Sequence, residues 1–88
     1  MSKVHYPAVL YTPGADGWWA VTIPGINVNA QGRTRNAALI EAADILQEVI
    51  DDLTRDGEPV PEPGEPDDEQ LRDGSPAVIQ ASMPAVAA

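Results

Sequence analysis

The chain has 88 residues, no cysteine and a formal net charge of −9 at pH 7. A chain of this length supports one small domain with a single modest core, and without cysteine neither disulfides nor thiolate metal sites can reinforce that core. No apolar run reaches the roughly 18 residues of a membrane span, and the N-terminus does not resemble a secretory signal. The sequence therefore predicts a cytoplasmic protein, with association into oligomers as the expected supplement to its stability.

The charge is divided unevenly along the chain. Residues 1–40 hold one acidic and three basic residues, whereas residues 41–88 hold thirteen acidic residues and two basic ones. Because proteins bind nucleic acids largely through Lys and Arg contacts with phosphates, direct nucleic-acid binding by this chain is not expected. The acidic part favours a basic partner and its electrostatic steering, although the same acids could serve only to keep the protein soluble.

Alternating apolar and polar residues predict three short strands in the first third of the chain. We expect them at Val4 to Thr12, at Trp18 to Ile23 and at roughly Ile26 to Ala30. The segments that separate them, Pro13 to Gly17 and the pair Pro24-Gly25, are short and have turn composition. These features predict a three-stranded antiparallel meander.

One long segment with helical periodicity, Thr34 to Gly57, follows the meander. Its apolar residues recur at steps of three and four and form one stripe: Ala38, Leu39, Ala42, Ile45, Leu46, Val49, Ile50 and Leu53. The opposite side is mostly acidic: Glu41, Asp44, Glu48, Asp51, Asp52 and Arg55. Thr34 is the expected N-cap and Gly57 the expected left-handed residue after the helix. We predict that the stripe packs on one face of the meander.

Together with the meander and the helix, the remainder of the chain predicts an α+β fold with element order β-β-β-α-β. Residues 1–57 form the β-β-β-α core, and residues 58–76 form an acidic, proline-rich connector because the four prolines of residues 58–69 resist both helix and sheet. Residues 77–83 are expected to form a fourth strand beside the first, which completes the sheet. Residues 84–88 are expected to be a frayed tail.

Side chains suited to catalysis or metal binding are scarce. His5 is the only histidine, and there is no cysteine or Gly-x-Ser-x-Gly motif to supply a nucleophile. Asp51 and Asp52 are adjacent on the predicted helix and therefore diverge by about 100°. The sequence predicts no catalytic residues, no metal site and no cofactor, and hence a protein that is not an enzyme.

Trp18 and Trp19 are adjacent in a predicted strand, so their side chains point to opposite sides of the sheet. One ring is expected in the core under the helix, and the other on the uncovered face. An uncovered tryptophan indicates a contact surface, because Trp and Tyr are enriched at interface hot spots. The alternative is that Tyr11 covers this ring from across the hairpin.

Six short segments carry a family resemblance. They lie within residues 3–63, about two-thirds of the chain: Tyr6-Pro7-Ala8-Val9, Asp16-Gly17-Trp18-Trp19-Ala20-Val21, Ile23-Pro24-Gly25, Gln31-Gly32-Arg33-Thr34, Ala38-Leu39 with Ala42, and Asp56-Gly57-Glu58-Pro59-Val60-Pro61-Glu62-Pro63. Together they resemble the HicB family of antitoxins from bacterial toxin–antitoxin operons. No single segment is specific, but their order is hard to obtain by chance.

The resemblance implies a partial RNase H-like fold that lacks the catalytic carboxylates of that nuclease. It also implies a partner, a small basic toxin of the HicA type that cleaves mRNA, and assembly into dimers or tetramers. The chain departs from the family at Arg33, where an acid is usual, and in its first helical turn, Arg35-Asn36-Ala37. Residues 70–88 contain no basic helix for operator DNA, so DNA binding is not carried over.

The leading hypothesis is an antitoxin or antitoxin-derived module that neutralises a basic HicA-type ribonuclease by occluding its active surface. The expected contact residues supply apolar area and negative charge: Tyr11, Trp18, Trp19, Glu48, Asp52, Glu58 and Glu62. The alternative is a stand-alone oligomeric scaffold or small-ligand regulatory domain of the same fold without a toxin. A minimal nuclease is a third, weaker hypothesis.

Overall fold

The computed structural model of the chain describes residues 2–83, and side chains from residue 3 onward. Its elements, in chain order, are β1 (Ser2–Tyr11), β2 (Trp19–Ile23), β3 (Val28–Gly32), α1 (Arg35–Arg55), α2 (Asp68–Asp73) and β4 (Ser75–Met83). The four strands form one sheet in the order β3-β2-β1-β4, and every neighbouring pair is antiparallel. The predicted α+β fold is confirmed: a meander, a long helix and a last strand beside the first.

Helix α1 begins and ends where its capping residues predict. The Thr34 hydroxyl accepts a hydrogen bond from the Ala37 N–H at 3.0 Å, which satisfies one of the first amides. At the other end the Gly57 N–H bonds to the Thr54 carbonyl and the Glu58 N–H to the Leu53 carbonyl. This pair of bonds is a Schellman motif, and Gly57 adopts the left-handed conformation it requires, with φ +72°.

The apolar stripe of α1 packs on one face of the sheet, as predicted. Four of its residues, spaced four apart, are fully buried: Ala38, Ala42, Leu46 and Ile50. They meet the inward side chains of all four strands: Tyr6, Ala8, Leu10, Val21, Ile23, Val28, Ala30, Ile79 and Ala81. Leu39, Ile45 and Val49 flank this core and are partly buried. The small alanines let the N-terminal half of α1 approach the sheet closely.

Strand β3 lies two residues later than predicted. Ile26 fits the alternation with Val28 and Ala30, but the structure places it in the turn before β3, where it is still buried. Gly25 and Asn27 have positive φ values of 92° and 57°, which folds the chain back and ends the alternation there. Gly32, expected in the turn before the helix, is the last residue of β3.

The segment after α1 is tied to the core and contains a short helix that was not predicted. The buried Tyr6 hydroxyl donates a hydrogen bond to the Pro61 carbonyl at 2.7 Å, and Gly64 lies against the Gly25 backbone. Helix α2 then begins at Asp67, whose side chain and that of Gln70 form a reciprocal capping box. No proline lies between Pro66 and Pro76, so nothing prevents this short helical turn. The expected frayed tail, residues 84–88, lies outside the described residues.

No helix within residues 2–83 is long and apolar enough to cross a membrane.

Candidate partner-binding surface

The exposed side of α1 carries five carboxylates. All of them are exposed: Glu41, Asp44, Glu48, Asp51 and Asp52. The only ion pair among residues 2–83 joins Asp52 to Arg55, one turn later on the same helix. Asp51 accepts a hydrogen bond from the Gln47 side chain at 3.1 Å. Glu48 and Asp52 lie four residues apart on one side of the helix, so this surface presents concentrated negative charge to solvent.

The negative charge continues beyond the end of α1. The eight further acids that follow it are likewise exposed: Asp56, Glu58, Glu62, Glu65, Asp67, Asp68, Glu69 and Asp73. Two of these, Glu58 and Glu62, flank the Pro61 carbonyl that Tyr6 holds, so the backbone between them is fixed to the core. We call the exposed carboxylates of residues 41–73 the acidic surface.

The two tryptophans have different surroundings. Trp19 is half-buried and packs against the core, as expected for one member of the pair. Trp18 is also half-buried, and the Arg33 guanidinium lies over its ring, 3.9 Å from the centroid. The same guanidinium donates a hydrogen bond to the Asp16 carbonyl at 3.2 Å. Arg33 therefore makes a cation–π contact and fastens the β1–β2 loop, which gives this unusual residue a structural role.

Tyr11 ends β1 opposite Ala20 and is half-buried. Its ring approaches Gly74, since a Cβ atom there would lie 3.0 Å from the Tyr11 Cε1 and 2.4 Å from Val9. The junction of α2 and β4 thus covers this part of the sheet. The predicted contact residues consequently fall into two groups. Four are exposed carboxylates, and three are half-buried aromatic residues at the two ends of the β1–β2 loop.

Three aliphatic residues are exposed without being predicted to be. Val78, on β4, is 63% exposed, Ile40, on α1, is 62% exposed, and Leu71, on α2, is 40% exposed. Ile40 could have been found on a helical wheel, because it lies outside the apolar stripe and among polar residues. The exposure of Val78 depends on which strand edge and which sheet face remain open, and neither follows from local sequence.

A shallow open groove of about 420 Å³ lies around strands β2 and β3. Its lining includes Thr22, Asn29, Gln31 and Glu41. The Thr22 hydroxyl already donates to the Asn29 side chain at 3.0 Å. Within residues 2–83 no group of three His, Asp or Glu side chains is placed to hold a metal ion. The groove offers polar contacts but no recognisable set of catalytic groups.

Comparison with known sequences identifies the family. The sequence model of the HicB-like antitoxin of bacterial toxin–antitoxin systems matches residues 5–80. The chain belongs to the HicB-like antitoxin family. The match includes β2, β3 and both helices of this HicB-like chain in full, and β1 and β4 in part. No curated protein sequence matches it.

Solved structures share the fold of this HicB-like chain. A toxin–antitoxin complex from Streptococcus pneumoniae contains a chain with a TM-score of 0.74 and 21% identity, covering 92% of this chain and 70% of that one. The antitoxin HicB of Burkholderia pseudomallei gives a TM-score of 0.65 and 20% identity, covering 91% of this chain and 63% of that one. A chain of a HicA3 and HicB3 toxin–antitoxin complex gives a TM-score of 0.62 and 20% identity, covering 93% of this chain and all of that one. At such identities the likeness establishes the fold.

Proposed function

We propose that this HicB-like chain neutralises a small basic ribonuclease of the HicA type by covering the surface with which that toxin cleaves RNA. The observation that carries the proposal is the acidic surface: all thirteen acids after residue 40 are exposed, and one of them has a basic partner among the described residues. A ribonuclease holds RNA phosphates with basic side chains. An acidic protein competes for those same side chains, and family membership supplies the toxin–antitoxin context.

Four carboxylates are proposed as the electrostatic part of the contact. Glu48 and Asp52 project from α1, and Glu58 and Glu62 follow from the segment held by Tyr6. Charges arranged in this way raise the association rate and orient the encounter more than they add to affinity. Because α1 and the Pro61 backbone are packed on the core, the carboxylates are presented with little loss of backbone freedom on binding.

The apolar part of the proposed contact uses the half-buried aromatic residues. Tyr11, Trp18 and Trp19 each keep part of the ring accessible while the rest is held by the fold. A rigid aromatic ring loses little conformational entropy on binding and suits an interface anchor. In this proposal the chain performs no chemistry, and inhibition is steric and electrostatic.

Co-expression with a small basic protein encoded beside its gene tests the proposal. We expect the two proteins to co-purify, the toxin's effect on growth to be relieved, and RNA cleavage by the purified toxin to stop at equimolar antitoxin. A neighbour that neither binds nor is inhibited would contradict the proposal. A stable homo-oligomer with no such neighbour would favour the stand-alone scaffold.

A charge-matched pair of variants locates the contact. Replacing Glu48 and Glu58 by lysine should weaken toxin binding by roughly ten-fold or more, because like charges then face the basic partner. The control replaces Glu69 and Asp73, on α2, by lysine: these two belong to the acidic surface but not to the four proposed contact carboxylates, and the net charge changes equally. Equal weakening by both variants would show that only total charge matters and would rule out this site. Binding is measured by surface plasmon resonance or calorimetry.

A further inference from the structure

Among residues 2–83, the outer edge of β4 is open along its middle and closed at both ends. Gln47 of α1 closes one end, because its side-chain amide donates to the Ser82 carbonyl at 2.9 Å and accepts from the Ser82 N–H at 2.8 Å. It occupies the place that a neighbouring strand would take. Pro76 closes the other end, since proline has no N–H to offer. Between them lie Val78 and Gln80, both exposed.

The backbone groups of these two residues point away from the sheet. Successive residues of a strand direct their N–H and C=O groups to opposite sides. Those of Ser82 point outward, to Gln47, so those of Gln80 and Val78 point outward as well. β4 pairs with β1 over its whole length on the other side, which holds this edge straight and extended.

This edge lacks the charges that ordinarily protect strand edges. No residue from Ser75 to Met83 is charged, although the whole chain carries −9. Natural edge strands are protected by charged side chains, proline or a covering segment, and here only the two ends are protected. Val78 adds an aliphatic side chain that is 63% exposed at the centre of the open part. An uncharged edge with an exposed Val78 between two closed ends is suited to pairing with a short strand.

We propose that β4 pairs with β4 of a second copy of this chain, antiparallel and with Val78 on the two-fold axis. The two Val78 residues then exchange both of their backbone hydrogen bonds, and each Gln80 N–H reaches the Pro76 carbonyl of the other copy. The two sheets join into one, with the Val78 side chains directly opposite each other. The pairing residues of β4 are not among the residues proposed to contact the toxin, although the acidic surface adjoins this edge through Asp51, which is bonded to Gln47.

Self-pairing is favoured over a different partner for two reasons. The sequence around Val78 is self-complementary. In this register each copy lacks only the hydrogen bond that an N–H at Pro76 would have donated, and Ser82, which is capped by Gln47, lies beyond the paired region. A register shifted by two residues would place Pro76 opposite Ser82. Gln47 already occupies the outward backbone groups of Ser82, so this register is blocked. The uncharged strand is also the part of the chain where two copies of charge −9 meet with least repulsion.

Analytical ultracentrifugation of the full chain at increasing concentration tests the proposal. We expect a dimer for the wild type and a monomer for Val78→Lys, which sets two ammonium groups against each other on the axis. Gln80→Pro, which removes an outward N–H and leaves the β1 ladder intact, should also give a monomer. Ile40→Lys is the matched control, an equally exposed aliphatic residue on α1, and it should remain a dimer.

Hydrogen exchange keeps the test decisive if a variant folds poorly. In the wild type, the amides of Val78 and Gln80 should exchange more slowly as the protein concentration rises. The Gly57 amide, which is bonded to the Thr54 carbonyl at the end of α1, should not respond to concentration. A wild type that stays monomeric overturns the proposal, as does a dimer that survives Val78→Lys or forms without slowing these two amides. Toxin binding by Val78→Lys is expected to be unchanged, so failure here is distinguishable from failure of the proposed function.

Discussion

At the scale of single residues, Gly32 shows how the family segment before α1 is constrained by packing. It is the last residue of β3 and faces the first turn of the helix. A Cβ atom on Gly32 would lie 2.5 Å from the Ala38 amide nitrogen and 2.8 Å from the Ala37 carbonyl carbon. Since both neighbours are backbone, no rotamer change can make room. The strand can turn into the helix at this point only because residue 32 has no side chain.

Gly32→Ala is therefore expected to lower the free energy of unfolding by about 1–3 kcal/mol, the usual cost of forcing extra volume into a packed site. Gly14→Ala is the control, because a Cβ there meets no atom within 4 Å and the backbone has no positive φ. It should be neutral or stabilise by up to about 1 kcal/mol. Urea denaturation of both variants gives the comparison, and equal effects would refute the steric explanation.

Arg33 illustrates what a sequence cannot reveal about a single residue. It stands just before the N-cap Thr34, near the positive end of the helix dipole, and by that local rule it is unfavourable. The compensating contacts come from distant parts of the chain: the Trp18 ring under its guanidinium and the Asp16 carbonyl. Trp18 and Arg33 are brought together by the β2–β3 pairing, so only the register reveals that they meet.

At the scale of elements, the segment Asp56 to Gly64 both ends α1 and fastens the helix layer to the sheet. Asp56 and Gly57 terminate the helix, and four residues later the Pro61 carbonyl receives the Tyr6 hydroxyl. Val60 packs against the core beside it. Gly25 and Gly64 then allow two backbones to touch, since a Cβ on Gly25 would lie 2.7 Å from the Gly64 nitrogen. The proline-rich composition predicted an extended segment but not this attachment.

Tyr6→Phe tests the attachment. Losing the hydroxyl should cost about 1 kcal/mol, because the Pro61 carbonyl loses its partner. Burial raises the pKa of Tyr6 above its usual 10.0. The unfolded chain therefore loses this proton first, so the stabilisation is complete below about pH 10 and is lost as the pH rises through the raised pKa.

The measurement is the free energy of unfolding from urea titrations at neutral pH and at several values above about pH 10. Wild type should lose stability across the alkaline range, and Tyr6→Phe should lack that component. Tyr11→Phe serves as the control at neutral pH, because the Tyr11 hydroxyl makes no hydrogen bond within residues 2–83. Identical alkaline profiles for wild type and Tyr6→Phe would contradict the assignment.

The elements that could be predicted are those whose determinants are local. Thr34, the stripe from Ala38 to Ile50 and Gly57 lie within one segment, so α1 and both of its ends follow from sequence. The shift of β3 arose because Ile26 is buried without being in the strand. Helix α2 depends on the capping box of Asp67 and Gln70, which follows directly after a proline-rich run that argues against a helix. The acidic surface could be predicted, because it follows from helical periodicity, whereas the open β4 edge depends on strand order and on the contact of Gln47.

At the scale of the whole molecule, the open strand edge is itself uncharged, and acids stand beside its two ends: Asp51, bonded to Gln47, and Asp73, two residues before β4. The acids occupy the outer side of α1, the connecting segment and α2, while β4 is uncharged throughout. The two proposed associations therefore have opposite electrostatics. A basic toxin is attracted by the field of the acidic surface, whereas a second copy of charge −9 is repelled by it and approaches through β4.

Salt should move the two associations in opposite directions. Screening shortens the Debye length to about 10 Å at 0.1 M salt and about 3 Å at 1 M. The association rate with the toxin should then fall by roughly ten-fold or more between low and high salt, because steering is lost. The dimer should become tighter over the same range, because repulsion between the copies weakens while the β4 hydrogen bonds and the Val78 contact persist. Stopped-flow kinetics measures the first effect and sedimentation the second. If both associations weaken with salt, carboxylates must also take part in the dimer contact, and the uncharged edge alone cannot account for self-association.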